Sequence, residues 1–204
     1  MVEQNRNILR IGMTAPELVV CLVSQIKEVN KILFRKVVPI NNLAHRERSD
    51  TLDQKMLHRP NNIFFQGVWM NRDEVNLERL MSIKLQKEEV LCITSKFECG
   101  GKILHLPMLD FECTICPENQ KMISDFIKRI LGHGIILESG QSYHVYGQKL
   151  INEPEMINFL GRSLLFKDYS DIRYIGHRLI DRELCLRLTA NLLKPDIPHV
   201  VCWV

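Results

Sequence analysis

Two pairs of chemically reactive side chains stand out in the second half of the chain. Asp110 and Glu112 flank Phe111 near the end of an apolar stretch, LPMLDFEC (106–113). Because side chains alternate along a strand, both carboxylates would project from one face, where they repel each other unless a cation or strong donors lie between them. Mg²⁺ and Mn²⁺ bind carboxylate oxygens and commonly complete their coordination with substrate phosphates. The pattern is therefore typical of a divalent-metal site, or of a strand that has simply reached solvent.

The second pair lies in SGQSYHVYG (139–147), where Gly140 indicates a turn before a strand. Ser142 and His144 would share one face of that strand, and Tyr143 would point to the other. Their side chains offer hydrogen-bond donors without a negative charge, which suits a phosphate, although a surface serine beside a core histidine explains S-x-H equally well. A carboxylate strand followed by a donor strand predicts a site for a metal-bound nucleoside triphosphate.

A third acid is available in the stretch FKDYSDIRYIGHRLIDRELCLRLT (166–189). Asp171 precedes an apparent helix, where it either caps that helix or reaches the metals. Asp168 and Asp181 are alternatives, and Asp181 lies where a turn before the next strand is expected. Arg187 interrupts an apolar strand, so a carboxylate or phosphate partner is expected if that strand is central.

The elements that must position these residues are predicted to be hairpins alternating with helices. Two hairpins are expected over 88–113, with Gly100 and Gly101 at the turn, and over 132–147. Helices are expected over 117–131 and 153–166, and strands over 183–189 and 198–204. This order indicates an α+β fold with mixed or antiparallel sheets and flanking helices, rather than a doubly wound parallel sheet.

The first 80 residues are predicted to be an N-terminal region packed on a catalytic domain that spans 81–204. Thr14 and Glu17 have capping-box spacing, and the apolar stripe after them predicts one amphipathic helix over 14–37. The polar stretch 41–62 is expected to be a surface segment. It precedes a predicted strand over 63–69 and a short helix or strand over 76–86.

Composition narrows the class of protein without naming its function. The chain has 204 residues and a net charge of +3, which by itself does not indicate nucleic-acid binding. No apolar run reaches the roughly 18–20 residues of a membrane span, and the N-terminal stretch has no signal-peptide core. Membrane association is therefore not expected.

Seven cysteines, an odd number, favour reduced thiols and a cytoplasmic location. Cys113 and Cys116 form a C-x2-C that Cys92 and Cys99 could complete as a zinc site. Half-buried free thiols are the preferred interpretation, so zinc is not expected.

The order of these motifs resembles the three-motif pattern of the archaeo-eukaryotic primase superfamily, which includes the primase-polymerases. In that family a D-x-D or D-x-E motif and a later acid bind metal ions; by resemblance these are Asp110, Glu112 and Asp171. The family's S-x-H motif contacts the incoming nucleotide, and by resemblance it corresponds to Ser142 and His144. The resemblance implies a primase-polymerase core with an RRM-like sheet.

The resemblance covers roughly residues 85–204, whereas residues 1–80 match no recognisable pattern. It implies template-directed nucleotidyl transfer with two Mg²⁺ or Mn²⁺ ions, an NTP or dNTP substrate and a single-stranded or primed nucleic-acid template. Arg187 lies where the family often has a basic residue after the third motif, and is expected to bind the nucleotide. Because no zinc-binding stem or accessory domain is evident, an accessory protein subunit is a further expected partner.

Two other classes of function remain open on the sequence. One is a non-catalytic subunit of the same fold that binds nucleotides or nucleic acid for a larger complex. The other is a metal-dependent nuclease or phosphotransferase, which uses Asp110 and Glu112 but gives Ser142 and His144 no particular role.

Overall fold

The computed structural model describes residues 9–38 and 67–204. Its helices in these residues are α1 (Ala15–Gln25), α2 (Leu77–Met81), α3 (Pro117–Ile130), α4 (Glu153–Leu164) and α5 (Ile172–Asp181), with a 3₁₀ turn at Arg72–Glu74. Its strands are β1 (Lys31–Val37), β2 (Gly67–Asn71), β3 (Val90–Cys99), β4 (Lys102–His105), β5 (Met108–Asp110), β6 (Gly134–Glu138), β7 (Tyr143–Gly147), β8 (Cys185–Arg187) and β9 (His199–Trp203).

The strands form two sheets. The first has the order β2-β1-β3-β4, and β8 pairs with β3 on the same side as β4. The second has the order β5-β7-β6-β9, and every strand pair in both sheets of the described chain is antiparallel. The predicted α+β class with flanking helices is thereby confirmed.

The elements of the second half agree with the sequence patterns. Gly100 and Gly101 join β3 to β4 with φ of +56° and +78°, a conformation that residues with a Cβ rarely adopt. Helix α3 begins at Pro117, and α4 begins after Asn152, whose side chain accepts from the Glu155 backbone amide at 2.9 Å. The local signals for turns and caps were therefore sufficient to locate these elements.

The single helix predicted over 14–37 is wrong in its second half. The capping box at Thr14 and Glu17 is present, but α1 ends at Gln25 and residues 31–37 form strand β1. Residues 32–35 are all buried, so both faces of this part of the strand are covered and no helical stripe remains. The β-branched and aromatic side chains of KILFRKV suit this pleated surface.

The remaining N-terminal predictions are tested only in part. The segment 41–62 and residues 63–66 lie outside the described residues, while β2 occupies the end of the predicted strand and α2 the predicted helix or strand. Strands β1 and β2 share a sheet with β3, and the division at residue 80 stays a prediction. No helix in the described ranges is long and apolar enough to cross a bilayer.

The hydrophobic core is one cluster of buried residues to which both sheets and the helices contribute. Leu18 and Leu22 of α1 are buried in the same cluster as Ile32 and Phe34 of the first sheet. Ile123 and Ile127 of α3 are buried against the second sheet so closely that a Cβ on Gly134 would lie 2.6 Å from an Ile127 methyl. This packing fixes β6 and β7, and β7 carries the S-x-H motif.

Candidate active site

The two sequence motifs lie on neighbouring strands. Asp110 of β5 is the register partner of His144 of β7, and their Oδ1 and Nε2 atoms are 3.6 Å apart. Tyr143 and Val145 are fully buried on the opposite face of β7, as side-chain alternation requires. The antiparallel pairing therefore brings a carboxylate and an imidazole together from residues 34 positions apart.

The third acid that the structure brings to Asp110 is Asp171. Its backbone amide donates to the Asp110 carbonyl at 3.1 Å, and its Oδ1 accepts from the Tyr174 amide at 2.8 Å as the N-cap of α5. The Glu112 amide donates to the Tyr169 carbonyl at 2.7 Å, so residues 110–112 run beside residues 169–171. The three predicted acids consequently lie on two adjoining segments.

The two alternative acids lie elsewhere. Asp168 is exposed in the turn between α4 and α5. Asp181 is the last residue of α5, and its carboxylate is 3.2 Å from the guanidinium of Arg178 on the same helix. Neither is among the charges that shift the pKa of Asp110.

The electrostatics of the acids fit a bound cation. Loss of solvation, reinforced by the negative charge of Asp171, raises the pKa of Asp110 to about 8, although 31% of its side chain is exposed. The pKa of Asp171 is raised too, by burial first and then by Glu112, although amide hydrogen bonds oppose this. Mutual repulsion of this kind is relieved by a divalent ion.

The acids are nevertheless not assembled as a ready coordination shell. Within residues 9–38 and 67–204, no group of three His, Cys, Asp or Glu side chains is arranged to hold a metal ion. All seven cysteines lie in these ranges and are free. The donor types fit Mg²⁺ or Mn²⁺, and the carboxylates would have to converge when the ion binds.

His144 is a buried, neutral imidazole. It is 5% exposed, and burial followed by the charges of Arg187 and Lys194 lowers its pKa to about 3. Its Nδ1 atom has no hydrogen-bond partner among the described residues. At neutral pH His144 therefore has one N–H to donate and carries no charge.

Ser142 has two connections to the segment after Glu112. Its Oγ accepts a hydrogen bond from the Cys113 amide at 3.1 Å and lies 3.9 Å from the Cys113 Sγ, a contact in which either atom can donate. The neighbouring Tyr143 hydroxyl accepts from the Cys116 amide at 3.0 Å and donates to the Cys116 carbonyl at 3.1 Å. The S-x-H strand thus holds the loop that follows the first acidic motif.

Arg187 is buried, and its guanidinium is bound by backbone carbonyls. It donates to Ser139 at 2.8 Å, to Thr189 at 3.0 Å and to Asp196. The carboxylate or phosphate partner expected from the sequence is thus replaced in part by carbonyl oxygens. The positive charge remains, and it lowers the pKa values of both Asp110 and His144.

Lys194 is a basic residue of this site that the sequence patterns did not reveal. It is half-buried in the loop between β8 and β9, where the Asn191 side-chain oxygen accepts from the Lys194 amide at 2.8 Å. Its charge, like that of Arg187, lowers the pKa values of Asp110 and His144. The N-x-x-K turn was a local signal for this loop, but nothing local placed it beside β5 and β7.

The family comparison agrees with the geometry. A family model described as archaeo-eukaryotic primase 1D-like (AEP-like) matches residues 73–198, more than half of the chain. No curated protein and no solved structure shows significant similarity to the chain. The matched range contains the three acids, the S-x-H motif, Arg187 and Lys194. The chain therefore belongs to the archaeo-eukaryotic primase-like family.

Proposed function

We propose that the protein is a metal-dependent nucleotidyltransferase that adds nucleotides from NTPs or dNTPs to a nucleic-acid strand on a template. The observation that carries this proposal is the facing pair of Asp110 and His144, with Asp171 on one side and the charges of Arg187 and Lys194 nearby. Carboxylates beside side chains that can donate hydrogen bonds match a metal ion and a triphosphate. Family membership supports the same class of activity.

Asp110, Glu112 and Asp171 would hold the divalent ions. When bound, Mg²⁺ or Mn²⁺ supplies charge neutralisation for the transferring phosphoryl group and its leaving pyrophosphate. Because the pKa of Asp110 is about 8, that carboxyl must lose a proton on binding at neutral pH. Ion binding therefore tightens as pH rises toward 8.

The triphosphate would lie over β7 and the loop between β8 and β9. His144 and Ser142 each have a hydrogen to donate to a phosphate oxygen, while Lys194 and Arg187 supply positive charge. Arg187 acts mainly through its charge and through the carbonyls that it holds, since its guanidinium is largely engaged. Positioning and charge neutralisation provide most of the acceleration in such reactions.

The experiment is an extension assay with primed and unprimed single-stranded templates, labelled NTPs or dNTPs, and Mg²⁺ or Mn²⁺. Asp110→Ala and Glu112→Ala should abolish incorporation, whereas Asp168→Ala should retain it because Asp168 is exposed in a neighbouring turn. Wild-type protein that incorporates nothing under any of these conditions would overturn the proposal. Equal loss in all three variants would do so too.

A non-catalytic nucleotide-binding subunit is the second candidate. It is favoured by the absence, in the described residues, of three side chains arranged around a metal, and by an Asp110 that is mostly protonated at neutral pH. This candidate predicts triphosphate binding that persists in Asp110→Ala, with no incorporation by the wild type. Calorimetric titration of a non-hydrolysable triphosphate separates the two.

A further inference from the structure

The exposed surface of α4 carries aliphatic side chains on either side of a glycine. Ile157 is 41% exposed, and Leu165, the C-cap residue of the helix, is 87% exposed. Gly161 lies four positions from each, so the three residues follow one face of the helix. A Cβ at Gly161 would meet nothing within 4 Å, so the space above this glycine is open.

Helix α5 repeats this arrangement. Its exposed residues are Ile172, Gly176 and Ile180, again at intervals of four, whereas its polar side chains are half-buried. The two isoleucines are 54% and 66% exposed, and a Cβ at the glycine would meet nothing within 4 Å. A helix that faces water normally exposes its polar residues, so α5 has the reverse pattern, which is typical of an interaction surface.

The two helices lie side by side as an antiparallel pair, the α4–α5 hairpin (153–182). Glu153 begins α4 and Arg182 is the C-cap of α5, and their side chains are 2.9 Å apart, while a turn joins the other two ends. Residues equally far from the middle of that turn therefore lie at similar heights along the pair. The exposed apolar residues form three such rows: Ile157 beside Ile180, Gly161 beside Gly176, and Leu165 beside Ile172.

These rows are symmetric about the two glycines. A half-turn about an axis that lies in the surface and crosses both glycines exchanges the two outer rows. A second copy of the chain in that orientation would place aliphatic side chains against aliphatic side chains at both ends of the contact. At the axis, the glycines leave room for the helices to approach closely.

The charges at the two ends of the hairpin are complementary under the same half-turn. Glu153 and Arg182 remain partly exposed at one end, while Lys167 follows α4 and Asp168 precedes α5 at the other, where both are exposed. The half-turn brings Lys167 of one copy to Glu153 of the other. It likewise brings Asp168 to Arg182, so opposite charges meet on both sides of the contact.

We propose that the α4–α5 hairpin is a dimer contact, packed on the same hairpin of a second copy about an axis at the level of Gly161 and Gly176. Burial of the exposed aliphatic side chains supplies the favourable free energy of association. The dimer goes beyond the proposed nucleotidyl transfer and does not depend on it, because association is measured without nucleotide or template.

Sedimentation velocity of the full chain over a range of concentrations tests the contact. Helices of 12 and 10 residues span about 18 and 15 Å, so the contact is small and a dissociation constant in the micromolar range is expected. A chain that stays monomeric up to about 100 μM overturns the proposal, because a dimer of that affinity would be largely formed there.

Gly176→Ala separates the contact from the stability of the fold. The added methyl group meets nothing in the monomer and alanine favours a helix, so resistance to urea at low protein concentration should not fall. In the dimer the same methyl group lies where the helices cross, so the dissociation constant should rise about tenfold. A variant that dimerises as tightly as the wild type overturns the crossing at Gly176.

A charge on the exposed face gives a stronger perturbation with a matched control. Ile180→Glu should abolish dimerisation, because the dimer would bury the new carboxylate among aliphatic side chains. Met81→Glu should dimerise like the wild type, since Met81 is 54% exposed at the end of α2, outside the hairpin. Equal effects of the two substitutions would overturn the assignment of the contact to α4 and α5.

The direction of packing is tested by replacing Ile180 with the photo-reactive benzoylphenylalanine and irradiating the protein. The half-turn places Ile180 opposite Ile172 of the second copy. The cross-linked dimer isolated from a denaturing gel should therefore contain an adduct on the peptide that carries Ile172, identified by mass spectrometry. Dimer adducts confined to other peptides overturn the antiparallel arrangement.

Discussion

Two carboxylates of this protein, Glu183 and Asp110, have opposite environments. Glu183 is 2% exposed, and its oxygens are 2.5 and 2.9 Å from the Arg35 guanidinium and 3.1 Å from the Lys96 ammonium. Burial alone would raise the pKa of Glu183, but the hydrogen bonds and charges of Arg35 and Lys96 outweigh it and lower the pKa. Among the described residues no lysine or arginine forms an ion pair with Asp110, and loss of solvation followed by the charge of Asp171 raises its pKa to about 8.

The difference separates a structural charge from a candidate functional one. The chain encloses Glu183 with its own cations, which join β1, β3 and the turn before β8. At Asp110 the nearest strong influence is another acid, Asp171, and the cations Lys194 and Arg187 only moderate it. An added cation would stabilise the ionised form of a carboxylate in this environment. Carboxylates with raised pKa values of this kind are typical of functional sites.

The largest effect is expected from removing the charge of Asp110. Asp110→Asn should lower the rate of nucleotide incorporation about 10⁴-fold, because a metal-binding carboxylate contributes several kcal/mol to stabilising transferred charge. Its free energy of unfolding should not fall. Initial rates and urea unfolding of the same sample measure both quantities, and a variant that loses fold and activity together would place Asp110 with Glu183 as a structural charge.

The next largest effect is expected for Glu183, where stability rather than activity should be lost. Glu183→Gln should lower the free energy of unfolding by about 3–5 kcal/mol, because Arg35 is left buried without its carboxylate. The rate of incorporation by the fraction that remains folded should stay near that of the wild type. Urea denaturation checks the first expectation, and an unchanged midpoint would show that the ion pair contributes little.

Substitution of Lys194 should have an intermediate effect, and only on the affinity for the substrate. Lys194→Ala should raise the dissociation constant for a triphosphate about tenfold, equivalent to about 1.4 kcal/mol, by removing one phosphate-facing charge. Lys149→Ala is a suitable control, since Lys149 is exposed beyond the end of β7. Isothermal calorimetry measures both; equal affinities in the two variants would remove Lys194 from the site.

The smallest effect is expected in the pH dependence of the free energy of unfolding, measured in the absence of metal ions. Between pH 6.5 and 8 the folded chain keeps a proton on Asp110 that the unfolded chain has lost, so the free energy of unfolding falls as pH rises, by about 1 kcal/mol. Below pH 6.5, His144 acts in the opposite sense, since the unfolded chain binds the proton that buried His144 excludes.

Asp110→Asn should flatten the curve above pH 6.5. Below pH 6.5 the wild-type contributions of Asp110 and His144 offset each other, so the variant should lose stability more steeply as pH falls. Denaturation in EDTA at half-unit pH intervals tests this. An identical slope in wild type and variant above pH 6.5 would mean that Asp110 titrates normally.

The sequence predicted those features that depend on near neighbours. Alternation predicted the burial of Tyr143 on the face opposite His144, and the position of Asp171 before an apparent helix allowed the capping role that it has. The helix predicted over 14–37 failed because β1 is buried on both faces between β2 and β3, so its apolar residues show no period of two that would distinguish it from a buried helix.

The rest of the site depends on contacts between distant segments. Arg187 was recognised as unusual, yet its carbonyl partners come from a turn 48 residues earlier and from a loop after it. Nothing in the sequence distinguishes Lys194 from other loop residues. Its role at the site is evident only because the fold brings its loop near Asp110 of β5. Long-range geometry of this kind has no counterpart in local spacing.

The carbonyls bound by Arg187 belong to the turn before the S-x-H strand and to both ends of the loop that carries Lys194. One side chain consequently sets the separation between the turn before Ser142 and the loop that carries Lys194. Both segments carry side chains that we propose to bind phosphate. Lysine at this position would keep the charge but could not reach all three oxygens in one plane. Under the proposed function, the spacing of the groups that would bind the triphosphate is therefore set by a residue that need not touch it.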